Sequence, residues 1–215
     1  MNGVALKEYY NRRARVYEKI YEKPERQEDL SAISLELQNI LSRHNILEVA
    51  CGTGYWTERL AKTAAFILGT DQSAEVLEVA QEKNLPNARF IQEDAYSLSK
   101  VSGNFTTGFA GFWWSHIPKA QIKSFLDVFH SRLVPNATVV FIDNHYVEGS
   151  NPPITRTDAG GNTYQTRKLP DGSEHEVLKN FPSDQEFIDT LGECATEIEI
   201  KRLQYYWIVK YKKRI

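Results

Sequence analysis

The residues with the most chemical information are Glu48, Ala50, Gly52 and Gly54, in the run Leu47-Glu48-Val49-Ala50-Cys51-Gly52-Thr53-Gly54. Small residues at a strand-to-helix turn let the backbone approach a ligand where a larger side chain would collide. Asp71 closes the next apolar stretch, Phe66 to Asp71. A carboxylate there can accept two hydrogen bonds from a ribose diol, and it discriminates against a 2′-phosphate. Strand, small-residue turn, helix, strand and acid in register point to a nucleoside-bearing cofactor. A nicotinamide dinucleotide site needs glycines in a G-x-G-x-x-G pattern, and those places hold Ala50, Gly52 and Tyr55. Tyrosine at the third place opposes the close helix–strand packing that glycine permits. A phosphate-cradling P-loop is excluded as well, because no Gly-Lys-Ser/Thr follows the turn.

These residues need elements to hold them. Leu30, Ile33, Leu37, Ile40 and Leu41 recur with helical spacing after a polar, tyrosine-rich stretch over residues 5–22. Strands are expected at 46–50, 66–71, 88–93, 105–114 and 137–143. Helices are expected between them: 55–63, one capped by Ser73 and running to Asn84, and one from Pro118 to Leu133. This alternation implies βαβ units and a parallel sheet. Residues 144–182 interrupt it with Pro152-Pro153, Gly160-Gly161 and the turn Pro170-Asp171-Gly172-Ser173, which read as an inserted β-hairpin. Ser183 and Glu186 form a capping box before a helix to Cys194. Two closing strand patterns, 197–203 and 205–211, are spaced as an antiparallel pair.

Glu48-Val-Ala-Cys-Gly-Thr-Gly54 resembles motif I of the class I S-adenosylmethionine-dependent methyltransferases, an E/D-x-G-x-G-x-G loop. Ala50 stands where that family usually has its first glycine. The resemblance implies an α/β, Rossmann-like, seven-stranded, mostly parallel sheet of order 3-2-1-4-5-7-6 with strand 7 antiparallel. It implies S-adenosylmethionine as cofactor, with Asp71 on the ribose and Gln72 near the adenine. Gln92-Glu93-Asp94-Ala95 is similar to the motif whose Asp and following N–H face the adenine. Trp113 lies in the motif after the fourth strand and is expected at the cofactor. Tyr9 and Tyr17 lie in a segment similar to the lid of small-molecule members. Their functional contact stands beside simple packing of an amphipathic helix.

The implied reaction is in-line displacement of the methyl group by a heteroatom of a small-molecule acceptor, with an inactive S-adenosylmethionine-binding protein or a methyltransferase acting on nucleic acid or protein as the alternatives. His116 follows the fourth strand, where the acceptor approaches. It is a candidate general base, with capping of the next helix or passive orientation as the other readings. Trp113 and Trp114 are expected to straddle the sheet by alternation. Trp114, His145, Arg156 and Arg167 are candidates for the acceptor side, the insert serving as an acceptor lid. Asp143-Asn144 is similar to the metal pair of catechol O-methyltransferases. Ser115-His116 stands where those enzymes place a further aspartate, so no metal is expected. Asn151-Pro152-Pro153 reads as a turn.

Composition narrows the partners. Of 215 residues, 26 are basic and 28 acidic, so no global field favours nucleic acid or anionic membranes. The two cysteines support neither a disulfide framework nor a zinc site. With no apolar leader and no long apolar run, the expectation is a cytoplasmic, single-domain protein. Its parts are N-terminal helices (1–43), cofactor core (44–143), acceptor-side insert (144–182) and C-terminal helix and strand pair (183–215).

Overall fold

The computed structural model describes residues 14–168 and 172–215. Five apolar stretches form β1 (Asn45–Val49), β2 (Phe66–Asp71), β3 (Ala88–Gln92), β4 (Phe105–Gly111) and β5 (Leu133–Asn144), paired in parallel. In chain order β6 (Arg156–Thr157), β7 (Thr163–Lys168) and β8 (Glu174–Leu178) follow, then β9 (Ala195–Arg202) and β10 (Tyr206–Lys213). β10 lies antiparallel between β5 and β9, so the main sheet has the order β3-β2-β1-β4-β5-β10-β9. That is the implied Rossmann-like order. The strand order reverses between β1 and β4, and open α/β sheets bind ligands at the carboxyl ends beside such a switch point.

Both faces of the sheet are covered, so its central strands are apolar without alternation. Along β5, Val139 and Phe141 join one core with Phe125 and Phe129. Val140 and Ile142 join the other with Ile33 and Leu37. The helices are α1 (Gln27–Ile40), α2 (Tyr55–Leu60), α3 (Ala74–Glu82), α4 (Ile122–Ser131) and α5 (Asp184–Leu191). Ser73 caps α3 by accepting the Val76 N–H at 3.2 Å. Ser183 and Glu186 close the capping box of α5. No helix among the described residues is long and apolar enough to cross a membrane.

Gly108 sets how closely α4 approaches the sheet. A Cβ there would lie 2.6 Å from Phe129 Cζ and 2.8 Å from Leu133 Cδ1, both in the core. Gly108→Ala is therefore expected to cost about 1–3 kcal/mol, read as a lower denaturant midpoint with an unchanged m-value. A midpoint equal to the parent's would show that the core yields at this point.

Several boundaries differ from the sequence expectations. β4 stops at Gly111, where Phe112 takes a left-handed backbone with φ 61°. Residues Trp114–His116 then form a short 3-10 turn. Strand alternation thus does not govern the two tryptophans. β5 starts four residues before Ala137 and meets β4 with a register shift between Phe105 and Thr107. The insert holds the expected hairpin, β7 paired antiparallel with β8, and the two-residue β6, too short to show a period, adds a third strand at its edge. Residues Ala14–Tyr21 form a 3-10 rather than an α-helix, and Tyr9 lies outside the described residues.

Candidate active site

The turn after β1 is built from left-handed backbone. Ala50, Gly52 and Gly54 have φ of 55°, 55° and 76°. Glycine takes such angles freely, whereas alanine carries roughly 1–2 kcal/mol of strain per residue. The position of Ala50 therefore explains the glycine usual in motif I, and its methyl group is accommodated at that strain. Gly52 donates its N–H to Asp71 Oδ2 at 3.0 Å, and Ser73 N donates to Asp71 Oδ1 at 2.9 Å. These bonds fix the carboxylate at the end of β2 against the turn. Among the described residues a Cβ built on Gly52 would meet nothing within 4 Å, so the turn opens onto space at that atom. Gly54 instead faces Ala80, 3.1 Å from where its Cβ would be, and begins α2.

That space is a cavity of about 410 Å³ at the carboxyl ends of the strands. Glu48, Asp71, Glu93 and Asp94 line it, and among the described residues no Lys or Arg does. Glu48 is 1% exposed and accepts the Thr57 hydroxyl at 2.6 Å. Burial raises its pKa to about 8, helped by repulsion from Asp71 and opposed by the Thr57 bond. Glu93 turns inward on its own loop, accepting the N–H groups of Asp94 and Lys100 at 2.9 and 2.6 Å. Asp94 accepts the Tyr96 N–H at 2.9 Å.

An aromatic wall closes one side. Tyr21 stacks on Tyr55 at 3.6 Å, and Trp56 lies parallel to Phe112. The segment carrying Tyr17 and Tyr21 is tied down by Glu18, which accepts the Thr53 hydroxyl at 2.8 Å and pairs with Lys83 at 3.1 Å. Opposite lie Tyr96, Trp113, His116, Gln121, Tyr164 and Leu178. Trp113 Nε1 is buried without an acceptor among the described residues, a costly state that a bound acceptor atom would relieve. His116 donates Nδ1–H to the Leu178 carbonyl at 2.7 Å. Only a donor fits a carbonyl, so Nε2 is the acceptor nitrogen of the neutral ring. Burial, then the charges of Lys179 and Arg167, hold the His116 pKa well below the ordinary imidazole value, against Asp143.

Of the expected cofactor residues, Tyr17, Glu48, Ala50, Gly52, Asp71, Gln72, Asp94, Ala95 and Trp113 line this cavity, and so does His116. Gly54 does not; it begins α2 instead. The structure places none of the four acceptor-side candidates in the lining of this cavity. Trp114 is 2% exposed and packs on Phe141, Phe187 and Trp207, because the turn after Gly111 points it into the core. Arg156 is exposed, held by Glu176 at 2.8 and 2.9 Å and stacked on Tyr164. His145 lines a separate depression with Tyr146, Phe181 and Trp207. Arg167 donates to Gln165 at 3.0 Å and does not line the cavity. Tyr21, Tyr55, Trp56 and Phe112 carry no motif signal that separates a cavity wall from ordinary core. Leu178 and Tyr164 needed the insert's path.

The site fits S-adenosylmethionine. Carboxylates without lysine or arginine suit a cationic nucleoside and repel phosphates, and the open edge at Gly52 admits close backbone contact. Residues 46–136 match the family model of the methyltransferase domain. An uncharacterized methyltransferase of Synechocystis, sll0829, is 28% identical over 119 residues, 55% of this chain and 56% of that protein. The trans-aconitate 2-methyltransferase of Deinococcus radiodurans is 36% identical over 80 residues, 35% of this chain and 30% of that protein. The chain thus spans about half, or less, of the length of these curated relatives. Among solved structures, a DhpI–SAH complex has a TM-score of 0.77 at 23% identity, covering 98% of this chain and 96% of that one. At that identity the likeness speaks for the fold.

Proposed function

We propose that this chain, whose residues 46–136 match the methyltransferase domain model, is a class I, S-adenosylmethionine-dependent enzyme that methylates a heteroatom of a small-molecule acceptor. The observation that carries this reading is the carboxylate-lined cavity, free of lysine and arginine among the described residues, against the open turn at Gly52. S-adenosylmethionine, when bound, supplies a methyl group already activated on a sulfonium. Asp71 would receive the ribose hydroxyls, with Asp94, Ala95 and Gln72 at the base. Glu48 would place negative charge beneath the cationic end. Trp113 and the aromatic wall would exclude water, and the acceptor would lie toward His116, Gln121 and Tyr164. Most of the rate then comes from positioning and desolvation. The neutral Nε2 of His116 can accept a hydrogen bond from an O–H or N–H nucleophile and orient it or take its proton. Relatives named for small acceptors, trans-aconitate and a dTDP-amino sugar, support an acceptor of that size.

The test begins with cofactor. Asp71→Ala is expected to weaken S-adenosylmethionine binding at least tenfold, about 1.4 kcal/mol, in a calorimetric titration, because charge-assisted bonds to the ribose are lost. An unchanged dissociation constant would sink the assignment. Methyl label moving from cofactor into a metabolite panel is the expected turnover. Label appearing only in protein or nucleic acid would overturn the small-molecule part.

A further inference from the structure

The insert is fastened to the cavity by three consecutive residues. Leu178 accepts the His116 ring at 2.7 Å through its carbonyl. Asn180 donates its backbone N–H to the Ser115 carbonyl at 2.8 Å. Between them the Lys179 ammonium reaches Asp143 Oδ1 at 2.7 Å and Ser115 Oγ at 2.6 Å. Asp143 in turn accepts the Ser115 N–H at 3.1 Å. The two charged side chains are 3% and 0% exposed.

We infer that Lys179 is a positioning residue of the acceptor site: its buried ammonium, locked on Asp143, holds β8 against the turn carrying His116 and so determines which ring nitrogen of His116 serves the cavity. This rests on the methyl-transfer reading of that cavity. Burying an ion pair costs desolvation that good geometry only offsets, so such a pair is a poor device for stability alone. Here every atom of the pair that is bonded is bonded to the turn or to the end of β5. If β8 slid by one residue, the Lys179 side chain would turn to the other face, and the carbonyl that orients the imidazole would move with it. The charges facing His116 are Lys179 from the end of β8, Arg167 from β7 and Asp143 from β5. Burial, then Lys179 and Arg167, outweigh Asp143 and keep the ring neutral, and the Leu178 carbonyl selects the form with Nδ1 protonated.

The experiment is nitrogen NMR of histidine-labelled protein across pH, with S-adenosylhomocysteine titrated in parallel. In the parent, His116 should show a single tautomer with Nε2 unprotonated and titrate below the ordinary range. In Lys179→Met only Arg167 among these charges still opposes Asp143, and the His116 midpoint should rise by about one pH unit or more. If that variant does not fold, Asp143→Asn/Lys179→Met removes both charges together. There the His116 spectrum should shift to a mixture of tautomers. S-adenosylhomocysteine affinity should change less than about threefold in the folded variant, about 0.7 kcal/mol. A folded variant whose His116 midpoint and tautomer match the parent's would overturn the positioning role. Failure of the parent to bind S-adenosylhomocysteine would instead overturn the reading of the cavity, so the two failures are distinguishable.

Discussion

Gly52→Val is expected to abolish cofactor binding, by about a hundredfold or more, while the protein still folds. The Cα of Gly52 borders open cavity, with nothing among the described residues within 4 Å of a Cβ built there. A branched side chain would therefore occupy ligand space rather than collide with protein. A factor of a hundred corresponds to about 2.7 kcal/mol, a small demand for atoms that would overlap the ligand. The second cost is conformational, since φ at Gly52 is 55°, an outlier for a β-branched residue. Gly52→Ala separates the two, because alanine bears the backbone strain with little bulk. Ala50 takes the same φ in the same turn, which shows that this backbone tolerates a methyl group. The alanine variant should therefore melt slightly below the parent and bind measurably, whereas the valine variant should not bind. If the valine variant melts far below the alanine variant, or binds like the parent, the turn is structural and the assignment fails.

What the sequence discloses follows from the range of each physical signal. The alternation of strands and helices and the turn at Ala50–Gly54 were legible because they depend on local periodicity and on small residues in register, whereas the strand order came only with the resemblance that motif I carries. Asp71 was legible for the same reason, lying at the end of its own strand. Trp114 was not, because its destination depends on the left-handed backbone at Phe112, and a bulky residue there gives no warning of it. Arg156 looked like an acceptor contact because charge in an insert resembles charge at a site. Only the folded insert shows that Glu176, on β8, holds it. Lys179 gave no signal at all. Its partner Asp143 is 36 residues away, and the pairing exists only once β8 has docked on the turn after β4. Interactions that cross from insert to core are thus the part that sequence patterning does not reach.

The second large effect concerns pH and Glu48. With its pKa raised from 4.5 to about 8 by burial, Glu48 is mostly protonated at neutral pH in the unliganded protein. The folded state therefore holds a proton that the unfolded state has released, between those two values. Its stabilising contribution is complete below the unfolded pKa and is lost as pH rises through about 8. The expected slope is about 1.4 kcal/mol of stability lost per pH unit across that window. Glu48→Gln keeps the shape and cannot ionise, so its stability should be flatter in urea titrations between pH 5 and 8. Cofactor binding has the opposite sign. A cationic ligand above Glu48 favours the carboxylate, lowers its pKa in the complex and releases a proton. S-adenosylmethionine affinity should then rise with pH, by up to about tenfold per unit, and level off above about 8. S-adenosylhomocysteine, which lacks the sulfonium charge, should show a shallower rise. Asp71, the other carboxylate acting on Glu48, is retained in Glu48→Gln, so a slope that survives the substitution would assign the proton to another group. A slope that disappears with it, for S-adenosylmethionine more than for S-adenosylhomocysteine, places the sulfonium over Glu48 and makes the buried acid the element that distinguishes cofactor from product.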